Sequence, residues 1–179
     1  MSARKLAADK LLWQMLGRWK RSSPELDRIQ FLKTVPFFDR LSNRQLKSVS
    51  DIMFERTYDI DESIFEEGQP GAALFLILQG KVAIEICREA GTTRLAVLEN
   101  GAFFGEMALL DETPRSADAR ALERTQTLAL YRNDLNQLVD RDAKTACQIY
   151  RSLAGMIGDR LRLTNELVQK TAGDDVGLG

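Results

Sequence analysis

Two periodicities divide the chain. Up to Met53, and again after Asn133, apolar residues recur at helical spacing; between them lie short apolar runs separated by glycine-bearing turns. From Ala3 to Lys20 the apolar positions Leu6, Leu12, Trp13, Leu16 and Trp19 predict an amphipathic helix within residues 1–22. Pro24, in SSPEL, opens the next helix, with Ser22 or Ser23 as its cap. FLKTVPFF breaks at Pro36, and LSNRQLKSVSDIM restarts a helix capped by Ser42.

The middle of the chain reads as strands: MFERTYDI, SIFEEGQPGAALFLILQGKVAIEICRE, TRLAVLENGAFFGE and SADARALERTQTLALY. Val82, Ile84 and Ile86 alternate, as in a half-buried strand, whereas Leu74 to Leu78 is apolar throughout, as in a strand covered on both faces. Gly68, Gly71, Gly80, Gly91 and Gly101 separate these runs, where turns need them. Many short strands with glycine turns predict a β-sandwich or jelly-roll barrel.

Helical patterning returns with NDLNQLV and then a long helix from Asp142 to Lys170, about 40 Å at 1.5 Å per residue. Its apolar positions form two overlapping stripes, Ile149, Leu153, Met156 and Leu163, and Tyr150, Leu153, Ile157, Leu161 and Val168. Two stripes imply two surfaces to cover: the barrel, and a partner helix such as that of a second copy in a homodimer. Gly155 and Gly158 inside this helix mark either a hinge or a close contact. The polar, glycine-rich end, 171–179, is expected to be disordered. The expected fold class is α+β: a β jelly-roll barrel flanked by N-terminal helices and by a short plus a long C-terminal helix. Residues 1–22 form a separate helix and 23–170 the domain.

Composition narrows the chemistry. With 25 Lys and Arg against 26 Asp and Glu, the net charge of −1 gives no basic surface for nucleic acid. No run of eighteen or so apolar residues and no signal-like leader is present, and Cys87 and Cys147 are isolated, so a cytoplasmic protein is expected. The sequence contains 0 histidines. That removes the usual ligands of zinc and non-haem iron and the usual base of Ser-His or Cys-His catalysis, so neither a metal nor an enzyme is expected. The first helix is basic, with Arg4, Lys5, Lys10, Arg18, Lys20 and Arg21 against Asp9. It is read as packing on its own domain or a second copy, with a membrane surface as the alternative.

The candidate site is FFGEMALLDETPRSA, Phe103 to Ala117. Gly105 permits a close backbone approach or a left-handed angle. Glu106 to Leu110 predict one or two helical turns whose free N–H groups face an anion. Arg115 supplies a planar fork of donors suited to phosphate oxygens. Together they suggest a ligand with a hydroxyl and a phosphate. The plainer alternatives are that Glu106 merely favours a helix N-terminus, and that Arg115 pairs with Asp111 or Glu112 on the surface.

This stretch resembles the phosphate-binding cassette of the cyclic nucleotide-binding domain family. Phe104, Gly105, Glu106, Ala108, Leu109, Pro114, Arg115 and Ala117 match its pattern with the spacing intact, and Gly68, Gly80 and Val82 match the family's upstream glycine-turn and strand pattern. The resemblance runs from about Phe31 to Leu163. It implies that Arg115 pairs with the cyclic phosphate and that Glu106 accepts the ribose 2′-hydroxyl. It also implies backbone contacts from Gly105, Glu106, Met107, Ala108 and Ala117. Ser116 stands where the family often has Ala, Ser or Thr; the ligand expected is cyclic AMP (cAMP), with cyclic GMP (cGMP) as the alternative. Met156, Arg160 and Leu163 are lid candidates, with Arg160 stacking on the base. Asp118 departs from the threonine of many relatives and either weakens the field of Arg115 or faces water. The implied mechanism is a switch in which the long helix moves and an effector protein reads its position. A ligand-free interaction module, or the sensor fragment of a transcription regulator, is the alternative. That regulator class needs a helix-turn-helix after the long helix, where this sequence reads as a glycine-rich tail, so either a stand-alone sensor or a fragment is expected.

Overall fold

The computed structural model describes residues 24–89 and 91–174. The predicted helix within 1–22, its neighbours Ser22 and Ser23, and residues 175–179 lie outside the described residues. The chain divides after Asp51 into two compact units.

In the first unit, α1 (Pro24–Thr34) is followed by a 3-10 turn (Pro36–Phe38) and α2 (Asn43–Ser50). Proline pushes the residue before it out of helical angles, and Val35, at φ −89° and ψ 120°, is extended. Ser42 caps α2 through a reciprocal capping box. Its hydroxyl accepts the Gln45 N–H at 3.4 Å, and Gln45 Oε1 accepts the Ser42 N–H at 3.0 Å. Arg28 Nη2 donates to the Ser50 carbonyl at 2.7 Å and so ties the start of the unit to its end. Phe37 and Phe38 are buried, with ring centroids 4.6 Å apart edge to face.

The second unit contains eight strands: β1 (Met53–Tyr58), β2 (Ser63–Phe65), β3 (Ala73–Gln79), β4 (Val82–Arg88), β5 (Gly91–Leu98), β6 (Phe103–Phe104), β7 (Asp118–Ala121) and β8 (Thr125–Tyr131). They form two four-stranded sheets in the orders β1-β8-β3-β6 and β2-β7-β4-β5, every pairing antiparallel. This is the jelly-roll barrel the patterning predicts, in an α+β chain. Phe75, Ile77, Val82, Phe104, Ala119 and Ala129 form its inner core. Leu74 and Leu76, opposite Leu130 and Leu128, are buried on the other face of β3, so that strand is covered on both sides. At the β3–β4 turn Gly80 has φ +112°, and a Cβ there would meet Thr125 Oγ1 at 2.4 Å; the turn needs glycine for both reasons.

Strand β4 departs from the half-buried expectation. Ala83 and Glu85, on the face opposite Val82 and Ile84, are buried too, with Glu85 only 6% exposed. The strand is central, between β7 and β5, and Arg94 of β5 donates its Nε–H to Glu85 Oε1 at 2.8 Å, so a cross-strand arginine covers the carboxylate. The register shifts at that point. Ile84 pairs with Ala96 and Glu85 with Arg94, which leaves Leu95 as the extra residue of a β-bulge.

Two helices close the unit, α3 (Arg132–Arg141) and α4 (Ala143–Asp174). Asp142 caps α4, accepting the Thr145 N–H at 3.1 Å and its hydroxyl at 2.6 Å. Leu135, Leu138, Ala146, Ile149 and Leu153 are buried, and Tyr150 donates to Asn136 Oδ1 at 3.1 Å between the two helices. Met156 and Ile157 are half-buried and Leu161 stands exposed; the side chains of Leu163 and Val168 lie outside the described residues. The helix runs on past Lys170 to Asp174, so part of the segment read as disordered is helical. No proline stops it there, and one glycine costs only about 1 kcal/mol. A Cβ at Gly155 would meet nothing within 4 Å, and one at Gly158 only the Arg162 guanidinium at 3.8 Å; neither glycine makes a close contact among the described residues. Cys87 on β4 and Cys147 on α4 are exposed free thiols. No helix among the described residues is long and apolar enough to cross a membrane.

Candidate functional site

The site is assembled where β6 gives way to the next turn. Phe104 is held opposite Phe75 of β3, and Gly105 then takes left-handed angles, φ +72° and ψ 19°. A single 3-10 turn follows (Glu106–Leu109), tighter and shorter than the helix expected. Gly105 has little freedom to be anything else. A Cβ there would lie 2.5 Å from Arg115 Nη1 and 3.1 Å from the Ala73 carbonyl oxygen. The chain then doubles back. The Arg115 N–H donates to the Gln69 carbonyl at 2.9 Å, and the Gly68 N–H donates to the Arg115 carbonyl at 2.8 Å, pinning Arg115 to the turn before β3.

The side chain of Arg115 is 9% exposed. Nη1 donates to the Gly105 carbonyl at 3.0 Å and Nη2 to the Ala73 carbonyl at 2.8 Å, and the guanidinium carbon sits 4.0 Å from the centre of the Phe65 ring. Nε is buried without a hydrogen-bond partner among the described residues. Burial pushes the Arg115 pKa down from its usual value, and the nearby Glu106 carboxylate acts in the opposite direction. The surface ion pair considered for Arg115 is not what forms. Glu112 meets Arg132 Nη2 at 3.3 Å, and Asp111 Oδ1 accepts the Thr113 N–H at 3.0 Å.

Glu106 is 5% exposed, and its Oε1 accepts a hydrogen bond from Arg160 Nη1 of α4, whose side chain is 65% exposed. Glu106 and Arg115 both line one cavity of about 340 Å³, within the size range of small-molecule sites. Gly105, Met107 and Ala108 line it beside Glu106, Ser116 and Ala117 beside Arg115, and Arg160 from α4. Every residue singled out from the sequence as ligand-binding therefore borders the same space. Of the other lid candidates, Met156 is not part of the lining, and the Leu163 side chain is outside the described residues.

Beside Phe103, which opens the candidate stretch, the apolar wall is formed by Phe65, Ile84, Leu95, Ala96 and Leu98, which sequence reasoning missed. Ile84 was reachable from alternation along β4. Leu95 and Ala96 are neighbours that both reach the cavity because the bulge interrupts alternation, and nothing in TRLAVL announces a bulge. Asp118 has a partner that sequence reasoning did not anticipate. Its Oδ1 accepts the Glu67 N–H at 2.6 Å, and that bond, with a smaller contribution from Cys87, holds its carboxyl below the usual range.

The structure is thus a jelly-roll barrel with a buried arginine and a buried acid on one cavity. Residues 55–142 match the family model described as the cyclic nucleotide-binding domain, and the chain belongs to that family. It is 38% identical over 132 residues to the cyclic AMP receptor protein of Thermus thermophilus, covering 73% of this chain and 59% of that protein. It is 29% identical over 128 residues to a cAMP-dependent protein kinase regulatory subunit of Mycosarcoma maydis, covering 72% of this chain and 23% of the subunit. The chain thus spans less than two thirds of the length of either relative. Among solved structures, the N-terminal domain of a transcriptional regulator from Streptomyces coelicolor superposes with a TM-score of 0.67 at 30% identity, over 77% of this chain and 94% of that one.

Proposed function

We propose that this chain is a cyclic nucleotide sensor that binds cAMP, with cGMP as the alternative ligand, and performs no turnover. The observation that carries the reading is the pairing of chemistries in one 340 Å³ cavity. A buried guanidinium is already fixed on two carbonyls, and a buried carboxylate sits nearby on the same wall. A cyclic phosphate brings one negative charge to Arg115, offsetting the desolvation that lowers its pKa. The N–H groups of the 3-10 turn add donors to the same oxygens. Glu106 accepts the ribose 2′-hydroxyl, which competes with Arg160 for the same carboxylate. The base lies along Ile84, Leu95, Leu98 and Phe103, a wall that holds a purine by burial and dispersion. The Ser116 hydroxyl can serve the phosphate or a guanine amine, and the relatives include both cAMP- and cGMP-dependent proteins, so cGMP stands as the alternative ligand.

Signalling follows if the ligand favours one position of α4 over another, since binding shifts an equilibrium only by its differential affinity. Arg160 joins α4 to the cavity, and beyond Ile157 the exposed Leu161 offers an effector protein or a second copy of the chain a surface to read. Titration calorimetry of the whole chain with cAMP and with cGMP tests the proposal. Saturable heat from either nucleotide, stronger for cAMP, is expected. No heat with either at millimolar nucleotide overturns it.

A further inference from the structure

Strand β5 breaks its own alternation at one place, and the break decides which side chains face the cavity. Val82 stands opposite Leu98, Ala83 opposite Val97 and Ile84 opposite Ala96, so inward and outward residues keep step on β4 and β5. The next pair in step would be Glu85 with Leu95. Instead Glu85 stands opposite Arg94, and Leu95 is left over. Side chains repeat every two residues along a strand, so a slip of one residue exchanges the faces. In the unbroken ladder Leu95 would face outward against Glu85, and Arg94 would face inward opposite Ile86. The bulge reverses this. Leu95 lines the cavity next to Ala96, and Arg94 lies on the outer face against Glu85.

Glu85 supplies a reason for the slip. It is 6% exposed on a central strand, and the residue opposite it on β7 is a second acid, Asp118. A buried carboxylate with an acid on one side needs a cation on the other. Leu95 in that place would give it none, whereas Arg94 donates its Nε–H to Glu85 Oε1 at 2.8 Å. The Arg94 side chain is 52% exposed, so the pair adds little stability by itself. Its effect is on which of two registers forms, a use for which buried charges are well suited. Neither Glu85 nor Arg94 is part of the cavity lining.

We infer that Glu85 and Arg94 are positioning residues that lock β4 and β5 in the bulged register and so place Leu95 on the apolar wall of the cavity. That this wall receives the base rests on the reading of the cavity as a cyclic nucleotide site; the register does not. The ribose and phosphate belong to the Gly105–Arg115 loop, so a change of register alters the contact with the base alone. Discrimination between bases is then set from the outer face of the sheet, by two residues the ligand never meets.

The test combines NMR on the free full chain with calorimetry, for wild type, the double variant Glu85→Leu/Arg94→Thr and the control Glu99→Ala. Glu99 forms an exposed ion pair with Lys81 beside the same two strands. In wild type, cross-strand proton contacts are expected to join residue 85 to residue 94. The double variant removes acid and cation and gives residue 85 an apolar side chain, which favours Leu95 opposite it. Its contact should move to residue 95. Calorimetry compares cAMP with cyclic CMP, which carries the same ribose and phosphate on a smaller base. Wild type is expected to prefer cAMP about tenfold and the double variant only about threefold, because Leu95 has left the wall. Glu99→Ala should match wild type in both measurements. A double variant that keeps residue 85 opposite 94 overturns the inference, as does one that slips yet keeps the full preference, or an equal change in Glu99→Ala. Should the double variant fail to fold, Arg94→Ala decides by the same criteria. Should wild type bind neither nucleotide, the nucleotide reading fails alone, and the NMR contacts still decide whether the pair sets the register.

Discussion

The cavity has two ends built on different principles. At the polar end, one continuous loop supplies nearly everything. Gly105, Glu106 and Arg115 belong to one unbroken stretch, and Arg115 is fixed by two carbonyls of the chain itself. At the apolar end, Phe65, Ile84, Leu95 and Leu98 come from three separate strands and meet only because the sheet folds over. On the proposed reading, the polar end is a grip held in place by shared hydrogen bonds. The apolar end is a surface whose members contribute additively and tolerate exchange. That contrast orders the consequences of mutation.

Arg115→Ala is expected to have the largest effect. It removes the charged donors and leaves the Gly105 and Ala73 carbonyls without their partner. Calorimetry should show cAMP affinity falling by at least about 100-fold, close to 3 kcal/mol. Retained affinity would mean that the grip lies elsewhere. Gly105→Ala comes next. The left-handed angle alone costs about 1 kcal/mol, and the added Cβ would stand 2.5 Å from Arg115 Nη1. A lower melting temperature and roughly tenfold weaker binding should appear together, because fold and grip share this residue. At the apolar end, Leu95→Ala should weaken binding only about threefold and leave melting nearly unchanged, since Leu95 is already exposed. A loss as large as that of Gly105→Ala would erase the distinction between the two ends.

The smallest expected effect lies just past the loop, at Asp118. Its carboxyl is held below the usual range by the Glu67 N–H. A depressed folded pKa contributes stability above the unfolded value, and that contribution is lost as pH falls through the folded one. Wild type and Asp118→Asn should therefore differ in melting temperature at neutral pH and converge as the pH drops below the ordinary aspartate range. Nucleotide affinity should not change. A shift in affinity would place Asp118 within the field of Arg115 after all.

Legibility from sequence follows the same division. The loop was readable because its residues are contiguous and each type has a narrow use: a glycine for a left-handed angle, an acid, an arginine at fixed spacing. The Ser42 cap and the fully covered β3 were readable for similar local reasons. What stayed hidden depended on partners distant in the chain. Glu85 looks like an outward-facing residue until Arg94 is laid across it. Leu95 looks like one more alternating residue until the register slips. Arg132 is one arginine at a strand–helix junction, and only the fold brings Gly71, Ala108 and Asp111 around its guanidinium. Asp118 was read against Arg115 because they are close in sequence, while its real partner comes from the turn after β2.

The two exposed thiols give the protein a built-in ruler. Cys87 stands on a barrel strand and Cys147 on the long helix, both free and both exposed. A pair of spin labels or fluorophores attached to the native cysteines would span the boundary between barrel and helix without an engineered substitution. The separation between the two labels, followed as nucleotide is added, would report directly whether the helix travels relative to the barrel.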